Sequence, residues 1–172
     1  GDTLSSIENI TGSIGGADTI AGNSGNNRLE GLSGNDRLFG RSGNDMILGG
    51  KGADTMDGGA GFDTVSYEDF SNKYLQWIGV TISLDGSLPG TEYAKGDRFI
   101  SIEGVIGTTS GHDTLSGNSA DNRIIGLGGN DRLYGRDGND KLYGGQGNDD
   151  IVAGLGNDFL DGGEGHETAS FI

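Results

Sequence analysis

The chain has 172 residues, among them 37 glycines, one proline and no cysteine, and its formal net charge is −15. The lack of cysteine excludes disulfides and thiolate metal sites, and the acidic charge argues against nucleic acid or an anionic membrane surface as a partner. No run of residues approaches the roughly 18 apolar positions of a membrane span, and no signal-peptide pattern opens the chain. So acidic and glycine-rich a chain needs a cation to neutralise its acids if it is to fold.

A nine-residue phrase of the form Gly-x-x-Gly-Asn-Asp-x-Leu-x recurs in the first third of the chain, for example from Gly31 and from Gly40. When the acid is placed in the sixth slot, the sixth positions of this first array are Asp18, Asn27, Asp36, Asp45, Asp54 and Asp63. The eighth slot is apolar throughout, at Ile20, Leu29, Leu38, Ile47, Met56 and Val65. A period of nine with one acid and one aliphatic is typical of a parallel β-helix whose turns bind calcium, and it predicts that the eighth slot faces a core.

Residues 68–95 have a different chemistry and form the predicted connector. The alternation from Val80 to Leu84 predicts a half-buried strand, and Asp85-Gly86 signals a turn. Residues 68–75 could form a short helical turn. The aromatic bulk that the repeats lack is supplied by Phe70, Tyr74 and Trp77. We interpret the segment as a β-rich connector that packs on the solenoid or extends it.

A second array follows, with sixth positions at Asp113, Asn122, Asp131, Asp140, Asp149, Asp158 and Glu167. Its eighth positions are Leu115, Ile124, Leu133, Leu142, Ile151, Leu160 and Ala169. Residues 1–57 align with residues 96–152, which indicates a duplication, and we expect the chain to be a piece of a longer protein. The predicted organisation is a first array over 1–67, the connector over 68–95 and a second array over 96–172. We expect Phe99, Ile102, Val105 and Ile106 in the first strands of the second array.

Two nonapeptides complete one coil of such a solenoid, so repeats n and n+2 share an edge and their sixth-slot acids stack. Carboxylates stacked at about 4.8 Å repel each other strongly unless a cation lies between them. Calcium takes six to eight hard oxygens in an adaptable geometry, whereas magnesium prefers a tighter octahedron and zinc prefers histidine and cysteine. Calcium is therefore the expected cofactor, as several ions.

The phrases Gly40-Arg41-Ser42-Gly43-Asn44-Asp45 and Gly144-Gly145-Gln146-Gly147-Asn148-Asp149 resemble the Gly-Gly-x-Gly-x-Asp-x-U-x repeat of the RTX family. That family comprises bacterial proteins exported by type I secretion, including toxins, proteases, lipases, alginate epimerases and adhesins. The resemblance covers nearly all of the chain except the connector. It implies an all-β fold, a right-handed parallel β-roll that depends on calcium, here as two arrays joined by the connector.

The resemblance also implies a ligand set for each ion, which lies between turns n and n+2. The earlier turn offers the carbonyls of slots two and four and its aspartate; the later turn offers the carbonyls of slots one and three and its aspartate. Carried over to the first array, the ligand sets are Leu32, Gly34, Asp36, Gly49, Lys51 and Asp54; Arg41, Gly43, Asp45, Gly58, Ala60 and Asp63; and Asp18 with Gly31, Ser33 and Asp36. In the second array they are Thr109, Gly111, Asp113, Gly126, Gly128 and Asp131; Leu127, Gly129, Asp131, Gly144, Gln146 and Asp149; and Arg136, Gly138, Asp140, Ala153, Leu155 and Asp158.

Departures from the repeat weaken some of these expected sites. Asn27 and Asn122 lack the carboxylate, and Glu167 is longer than the pattern requires. The glycines of two turns are replaced by Ser13-Ile14 and Thr108-Thr109.

No catalytic constellation is visible, because His112 and His166 fall in the fifth slot without a third partner, so we expect a non-catalytic module. The resemblance implies a secreted, extracellular bacterial protein that stays unfolded during export at low cytoplasmic calcium and folds outside on calcium. Its expected partners are calcium ions, an effector domain of the parent protein and the type I secretion machinery. The alternative is an adhesin or polysaccharide-binding segment, which would use the seventh-slot cations or the outward ninth-slot residues. Those cations are Arg28, Arg37, Arg123, Arg132 and Lys141, and the ninth-slot residues are Phe39, Leu48, Ile125, Tyr134, Tyr143 and Val152.

Overall fold

A computed structural model describes residues 7–68 and 78–171, and it shows an all-β chain of parallel strands. Within these residues a three-residue 3-10 turn spans Glu92–Ala94. No helix in the described part of the chain is long and apolar enough to cross a membrane. The helical turn suggested over 68–75 and the aromatic residues Phe70, Tyr74 and Trp77 lie outside the described residues, except for Glu68.

The described residues form two compact units, the first made of residues 7–65 and 96–102. Its strands are β1 (Asn9–Thr11), β2 (Thr19–Ala21), β3 (Arg28–Glu30), β4 (Arg37–Ser42), β5 (Met46–Leu48), β6 (Thr55–Ala60) and β7 (Thr64–Ser66), followed after the connector by β9 (Arg98–Ile100). Strands β1, β3, β5 and β7 stack in one parallel sheet, and β2, β4, β6 and β9 stack in another. Leu38 lies opposite Met56 and Leu29 opposite Ile47, a shift of two nonapeptides. The predicted stacking of repeats n and n+2 is confirmed.

The second unit comprises the described residues of 66–95 together with 103–171. Its strands are β8 (Thr81–Ser83), β10 (Gly104–Ile106), β11 (Thr114–Ser116), β12 (Arg123–Gly128), β13 (Arg132–Asp137), β14 (Lys141–Gln146), β15 (Asp150–Leu155), β16 (Phe159–Glu164) and β17 (Thr168–Ser170). One parallel sheet runs β10-β12-β14-β16, and the other runs β8-β11-β13-β15-β17. The predicted connector strand exists as β8, and it adds a rung to this unit because Ile82 pairs with Leu115.

The core of each unit is the column of eighth-slot side chains. Leu29, Leu38, Leu133 and Leu142 are fully buried, and Ile20 and Ile151 are nearly so. Leu160 is half-buried and Ala169 is exposed, because β16 and β17 are the outermost strands of their sheets in the described chain. The prediction that the eighth slot faces a core is confirmed up to Ile151.

The length of several strands and the burial of the ninth-slot residues differ from what the repeat predicts. Several strands are six residues long, for example β4 and β13, since the ladder continues from slots seven to nine into slots one to three of the next nonapeptide. Most ninth-slot residues are half-buried, but Leu48 is buried, so the prediction of an outward Leu48 is wrong.

Candidate metal centre

The sixth-slot residues form two hydrogen-bonded ladders along each unit. In the first unit the backbone N–H of Asp18 donates to Asp36 Oδ1, and that of Asp36 donates to Asp54 Oδ1, each at 2.8 Å. The neighbouring ladder joins Asn27 to Asp45 at 2.7 Å. In the second unit the same bond joins Asp113 to Asp131 and Asp131 to Asp149, each at 2.8 Å. Each aspartate thus uses Oδ1 to hold the rung before it.

The other carboxylate oxygen of these aspartates is buried without a hydrogen bond. This holds for Oδ2 of Asp36, Asp45, Asp54, Asp131, Asp140 and Asp149. Their residues are 0 to 2 % exposed, so water does not solvate them either. Burying a neutral polar group without a hydrogen bond costs about 2–7 kcal/mol, and burying an uncompensated charge costs more. Such a row of oxygens requires a positive partner or protonation.

Five of these oxygens lie near a carbonyl oxygen of the rung that follows, at Asp36, Asp45, Asp131, Asp140 and Asp149. A Cβ placed on Gly31 would collide with both Asp36 Oδ2 and the carbonyl oxygen of Gly49, one coil further on. The same pair recurs at Gly126, with Asp131 Oδ2 and the carbonyl of Gly144. Only a first-slot residue without a side chain leaves this convergence of oxygens intact. The turns therefore create small pockets of negative oxygens between consecutive rungs.

Desolvation raises the pKa of the buried acids. Burial raises the pKa of Asp131 to about 7 and that of Asp140 to about 6, against opposing backbone hydrogen bonds. Neighbouring carboxylates add to the effect, from Asp113 and Asp149 at Asp131. Burial also raises the pKa of Asp45, Asp54 and Asp149. Desolvation is the largest cause of the raised pKa values, and a bound cation would oppose it by stabilising the charged carboxylates.

The sequence comparison decides the family. The family model of the RTX calcium-binding nonapeptide repeat (4 copies) matches residues 14–47, 31–65, 107–142 and 143–168, more than half of the chain. The chain belongs to the RTX calcium-binding repeat family. No curated protein matches it significantly.

The donor set of these RTX turns fits calcium better than a transition metal. No group of three or more His, Cys, Asp or Glu side chains that could hold a metal is present among residues 7–68 and 78–171. Two aspartates per site must therefore be supplemented by turn carbonyls and water. A hard cation that takes six to eight oxygens accepts this set, whereas zinc does not.

The carbonyls assigned as ligands already take part in the ladder. Gly34 N–H donates to the carbonyl of Lys51, and Lys51 N–H donates to that of Leu32, each at 2.8 Å. In the second unit the N–H of Gly129 donates to the carbonyl of Gln146, also at 2.8 Å. A carbonyl oxygen carries two lone pairs, so one hydrogen bond leaves the second available to a cation. The ligand sets stay predictions, with their residues placed on facing rungs.

The first turn of each array differs from the others. Ser13 donates to Asp18 Oδ2 through its backbone N–H at 2.7 Å and through its hydroxyl at 2.9 Å. Asp113 Oδ2 accepts the backbone N–H of Thr108 at 2.7 Å, and the Thr108 hydroxyl lies within 3.0–3.2 Å of both carboxylate oxygens. Even so, burial raises the pKa of Asp113 to about 6. The hydroxyl residues that replace glycine thus supply hydrogen bonds that the later aspartates lack.

The two amides in the sixth slot are satisfied in a similar way. Asn27 Oδ1 accepts the N–H of Asn23 at 2.8 Å, and Asn122 Oδ1 accepts that of Asn118 at 2.7 Å. Asn122 also donates through Nδ2 to the carbonyl of Glu103 at 3.1 Å. Thr109, a predicted ligand in the first turn of the second array, donates its hydroxyl to the carbonyl of Glu68 at 2.7 Å.

The fifth-slot residues form a further ladder, which the sequence reasoning did not identify. The N–H of Asn44 donates to Asn26 Oδ1 and that of Asn148 donates to Asn130 Oδ1, each at 2.8 Å. His112 takes the place of asparagine, and its Nδ1 accepts the Asn130 N–H at 2.6 Å. The recurrence of asparagine in this slot was the available signal. His112 therefore has a structural role, and both it and His166 are exposed.

Several seventh-slot cations lie beside groups of their own chain. Arg28 pairs with Glu30 at 2.7 Å, and Arg132 lies 3.6 Å from Asp150 with both side chains more than half exposed. The Arg123 guanidinium carbon lies 5.5 Å from the centre of the Tyr143 ring. Exposed pairs of this kind contribute about 0–1 kcal/mol each, so they offset local charge more than they stabilise the fold.

Proposed function

We propose that this chain is a non-catalytic, calcium-triggered folding module of a secreted bacterial protein. The observation that carries the proposal is the row of buried Oδ2 atoms without hydrogen bonds, which face carbonyl oxygens of the next rung. Family membership supplies the cation, calcium.

The physical basis is the coupling of cation binding to folding. Folding brings the sixth-slot carboxylates into two columns and removes them from water, which is unfavourable when they are charged and uncompensated. Bound calcium would supply the compensating charge and accept the Oδ2 atoms as ligands. The turns contribute the fixed carbonyls, and the eighth-slot column contributes the apolar core. A ligand present at a hundredfold excess over its Kd stabilises the folded state by about 2.7 kcal/mol per site.

This coupling supports a role in export. The interior of a bacterial cell holds little free calcium, so a module of this kind would remain unfolded there and fold after release. The folded module would then stabilise an attached effector domain and oppose its return into the exporter. The alternative of a polysaccharide-binding segment has weaker support, because Arg28, Arg123 and Arg132 already lie beside groups of their own chain.

The test compares calcium-dependent folding of the wild-type chain with two matched variants. Asp131→Asn keeps an acceptor for the Asp113 N–H but removes a buried charge. Asp121→Asn removes an exposed fifth-slot charge, where most repeats already carry asparagine. Far-ultraviolet circular dichroism and urea unfolding are measured in EDTA, in millimolar calcium and in millimolar magnesium.

We expect the wild-type β signal in calcium alone. Asp131→Asn should be less stable than the wild type in calcium, by about 2.7 kcal/mol for each site lost at a hundredfold excess of the ion, and should show no less β signal than the wild type in EDTA. Asp121→Asn should follow the wild type in every condition. A native β signal for the wild type in EDTA that calcium leaves unchanged would refute the proposal.

A further inference from the structure

A short loop of the connector, residues 84–87, lies against the outer face of the second unit. It follows β8, whose last residue, Ser83, lies opposite Ser116 at the end of β11. The N–H of Leu84 donates to the carbonyl of Ser116 and that of Gly86 to the carbonyl of Ser83, each at 3.0 Å, so the chain turns back directly after the strand. Ser116 stands in the outward ninth slot, yet it is 0 % exposed, and Ser83 is 3 % exposed. Their hydroxyl groups are therefore covered from solvent.

A hydrogen-bond network of side chains fastens this loop to β13. Arg136 on β13 donates through Nε to Ser116 Oγ and through Nη2 to Ser87 Oγ, each at 2.8 Å. The hydroxyl oxygens of Ser87 and Ser83 lie 2.9 Å apart. The Ser83 hydroxyl donates to Asp85 Oδ1, which also accepts the N–H of Ser87 at 2.8 Å. With donors ordered from Arg136 to Asp85, each hydroxyl group has a partner.

Opposite charges stand at the two ends of this network. Burial alone would raise the pKa of Asp85, but hydrogen bonds from Ser83 and Ser87 and the charge of Arg136 lower it to about 2. The carboxylate is therefore ionised at neutral pH. Hydrogen bonds to ionised groups are stronger than neutral ones, although solvent screens this pair because Asp85 and Arg136 are both exposed. The network thus holds the loop with moderate strength, and the loop can open without unfolding of the unit.

The Ser116 hydroxyl shows why the closed loop requires Arg136. In the part of the chain that the structure describes, its hydrogen bond is the one from Arg136 Nε. A buried hydroxyl group that loses its partner is unfavourable, because water no longer solvates it. Closing the loop over Ser116 without the guanidinium would therefore leave this group unsatisfied.

Arg136 extends from a turn that contains one of the uncompensated carboxylates. It occupies the second slot with φ +83°, directly after Gly135. A Cβ on Gly135 would collide with Asp140 Oδ2 and with the carbonyl of Ala153 on the next rung. The direction of the Arg136 side chain is therefore defined only when the turn of residues 135–140 has formed.

We propose that residues 84–87 and Arg136 form a strap that closes on the second unit after the turn of residues 135–140 has formed. The inference rests on the proposed function, in which calcium stabilises that turn, and it adds a second step that orders part of the connector. The strap needs no ion of its own, because Arg136 and Asp85 carry opposite charges. The turn supplies the donors and the loop supplies acceptors, so neither half forms the network alone.

The test follows hydrogen exchange by mass spectrometry in the full chain across a calcium titration, in peptides covering residues 84–87 and 135–140. Arg136→Gln shortens the side chain and removes its charge. Ser87→Ala removes the acceptor on the loop and leaves Arg136 in place. Arg132→Gln is the matched control, since it alters an exposed arginine of the same strand that lies 3.6 Å from Asp150.

In saturating calcium we expect exchange in residues 84–87 to be about tenfold faster in Arg136→Gln than in the wild type. Ser87→Ala should show a smaller increase in the same peptide, and Arg132→Gln should show none. Exchange in residues 141–155 should keep the wild-type rate in all three variants. In the wild type, protection of residues 84–87 should appear at the calcium concentration that protects residues 135–140, or above it.

An unchanged rate at residues 84–87 in Arg136→Gln would overturn the inference, as would equally faster exchange throughout the second unit. Protection of the loop at less calcium than the turn requires would overturn the order of the two steps. If Arg136→Gln does not fold in calcium, Ser87→Ala decides in the same way. Equal protection of the wild type with and without calcium would refute the proposed function, whereas faster loop exchange in Arg136→Gln would still support the fastening by Arg136.

Discussion

Two turns on the same edge of the second unit provide different partners for a buried aspartate. They are the lead-in turn of the second array and the repeat turn that follows it. Gly107–Asp113 contains one residue more than Gly126–Asp131. In the longer turn, Thr108 donates to both oxygens of Asp113. In the shorter turn, Asp131 Oδ2 is buried without a hydrogen bond. The first array repeats the contrast, with Ser13 bonded to Asp18 and nothing equivalent at Asp36.

The difference shows what determines the need for a cation. Both turns bury an aspartate and both use Oδ1 to bind the preceding rung. The hydroxyl of Thr108 in the lead-in turn lies 3.0–3.2 Å from the two carboxylate oxygens of Asp113. Each array therefore begins with a turn whose own side chain bonds the aspartate, whereas the later aspartate turns lack such a bond to Oδ2.

The largest expected effect comes from filling the space in a repeat turn. In Gly126→Ala the new methyl group would collide with Asp131 Oδ2 and the carbonyl of Gly144. We expect a loss of about 1–3 kcal/mol from overpacking alone, together with weaker calcium binding. The urea midpoint in saturating calcium measures it. Gly25→Ala is the control, because its methyl group would meet only the flexible Asn23 side chain, at 3.3 Å. Equal stability of the two variants would contradict the geometry of the site.

An intermediate effect is expected from pH when calcium is removed. The folded-state pKa of Asp131 is raised to about 7 and that of Asp140 to about 6, whereas an unfolded aspartate titrates near about 3.9. The folded chain therefore binds more protons than the unfolded chain between these values, and its stability in EDTA should rise as the pH falls from about 7 to about 4. The far-ultraviolet circular dichroism β signal in EDTA at pH 8 and pH 5 measures this, because the fraction of folded chain reports the stability of a largely unfolded protein. Protons would act here as a partial substitute for the cation. Greater stability at pH 8 than at pH 5 would show that the carboxylates are compensated from within the protein.

The smallest expected effect converts a satisfied turn into a calcium-dependent one. Asn122→Asp loses the Nδ2 hydrogen bond to the Glu103 carbonyl and adds a buried charge next to Asp140 in the same column. We expect a loss of about 1 kcal/mol in the free energy of unfolding at limiting calcium and its recovery at saturating calcium. Asn157→Asp adds the same charge at an exposed fifth-slot position and should show neither change. Equal calcium dependence in the two variants would mean that the column position of the charge has no effect.

Much of the fold follows from the repeat itself. The apolar eighth slot predicts the buried column from Ile20 to Ile151, and the period predicts which rungs pair. The sixth-slot acids predict the two columns of carboxylates, because a strict period converts sequence spacing directly into stacking. The cation that these columns require could also be named from the donor chemistry.

Other features could not be derived from the period. The N–H of Asp54 donates to Oδ1 of Asp97, 43 residues away, a separation that the connector sets and the repeat does not. The hydrogen bonds from Thr108 to Asp113 occur in a turn with one additional residue, and a strict nine-residue period does not predict such a turn. The recurrence of asparagine in the fifth slot indicates a role for this residue. Predicting the hydrogen bond itself also requires knowing which way the side chain points along the solenoid.

The glycine of the fourth slot has a consequence for how this scaffold can change over time. Gly52 and Gly147 have φ values of +143° and +133°, and a Cβ at either would overlap the carbonyl of the glycine one coil earlier. A side chain is thus excluded at these two turn positions, whereas Lys51, Lys141 and Gln146 carry exposed side chains, where a substitution changes the surface. Such a chain can therefore vary its surface chemistry row by row while the backbone of its turns stays constant.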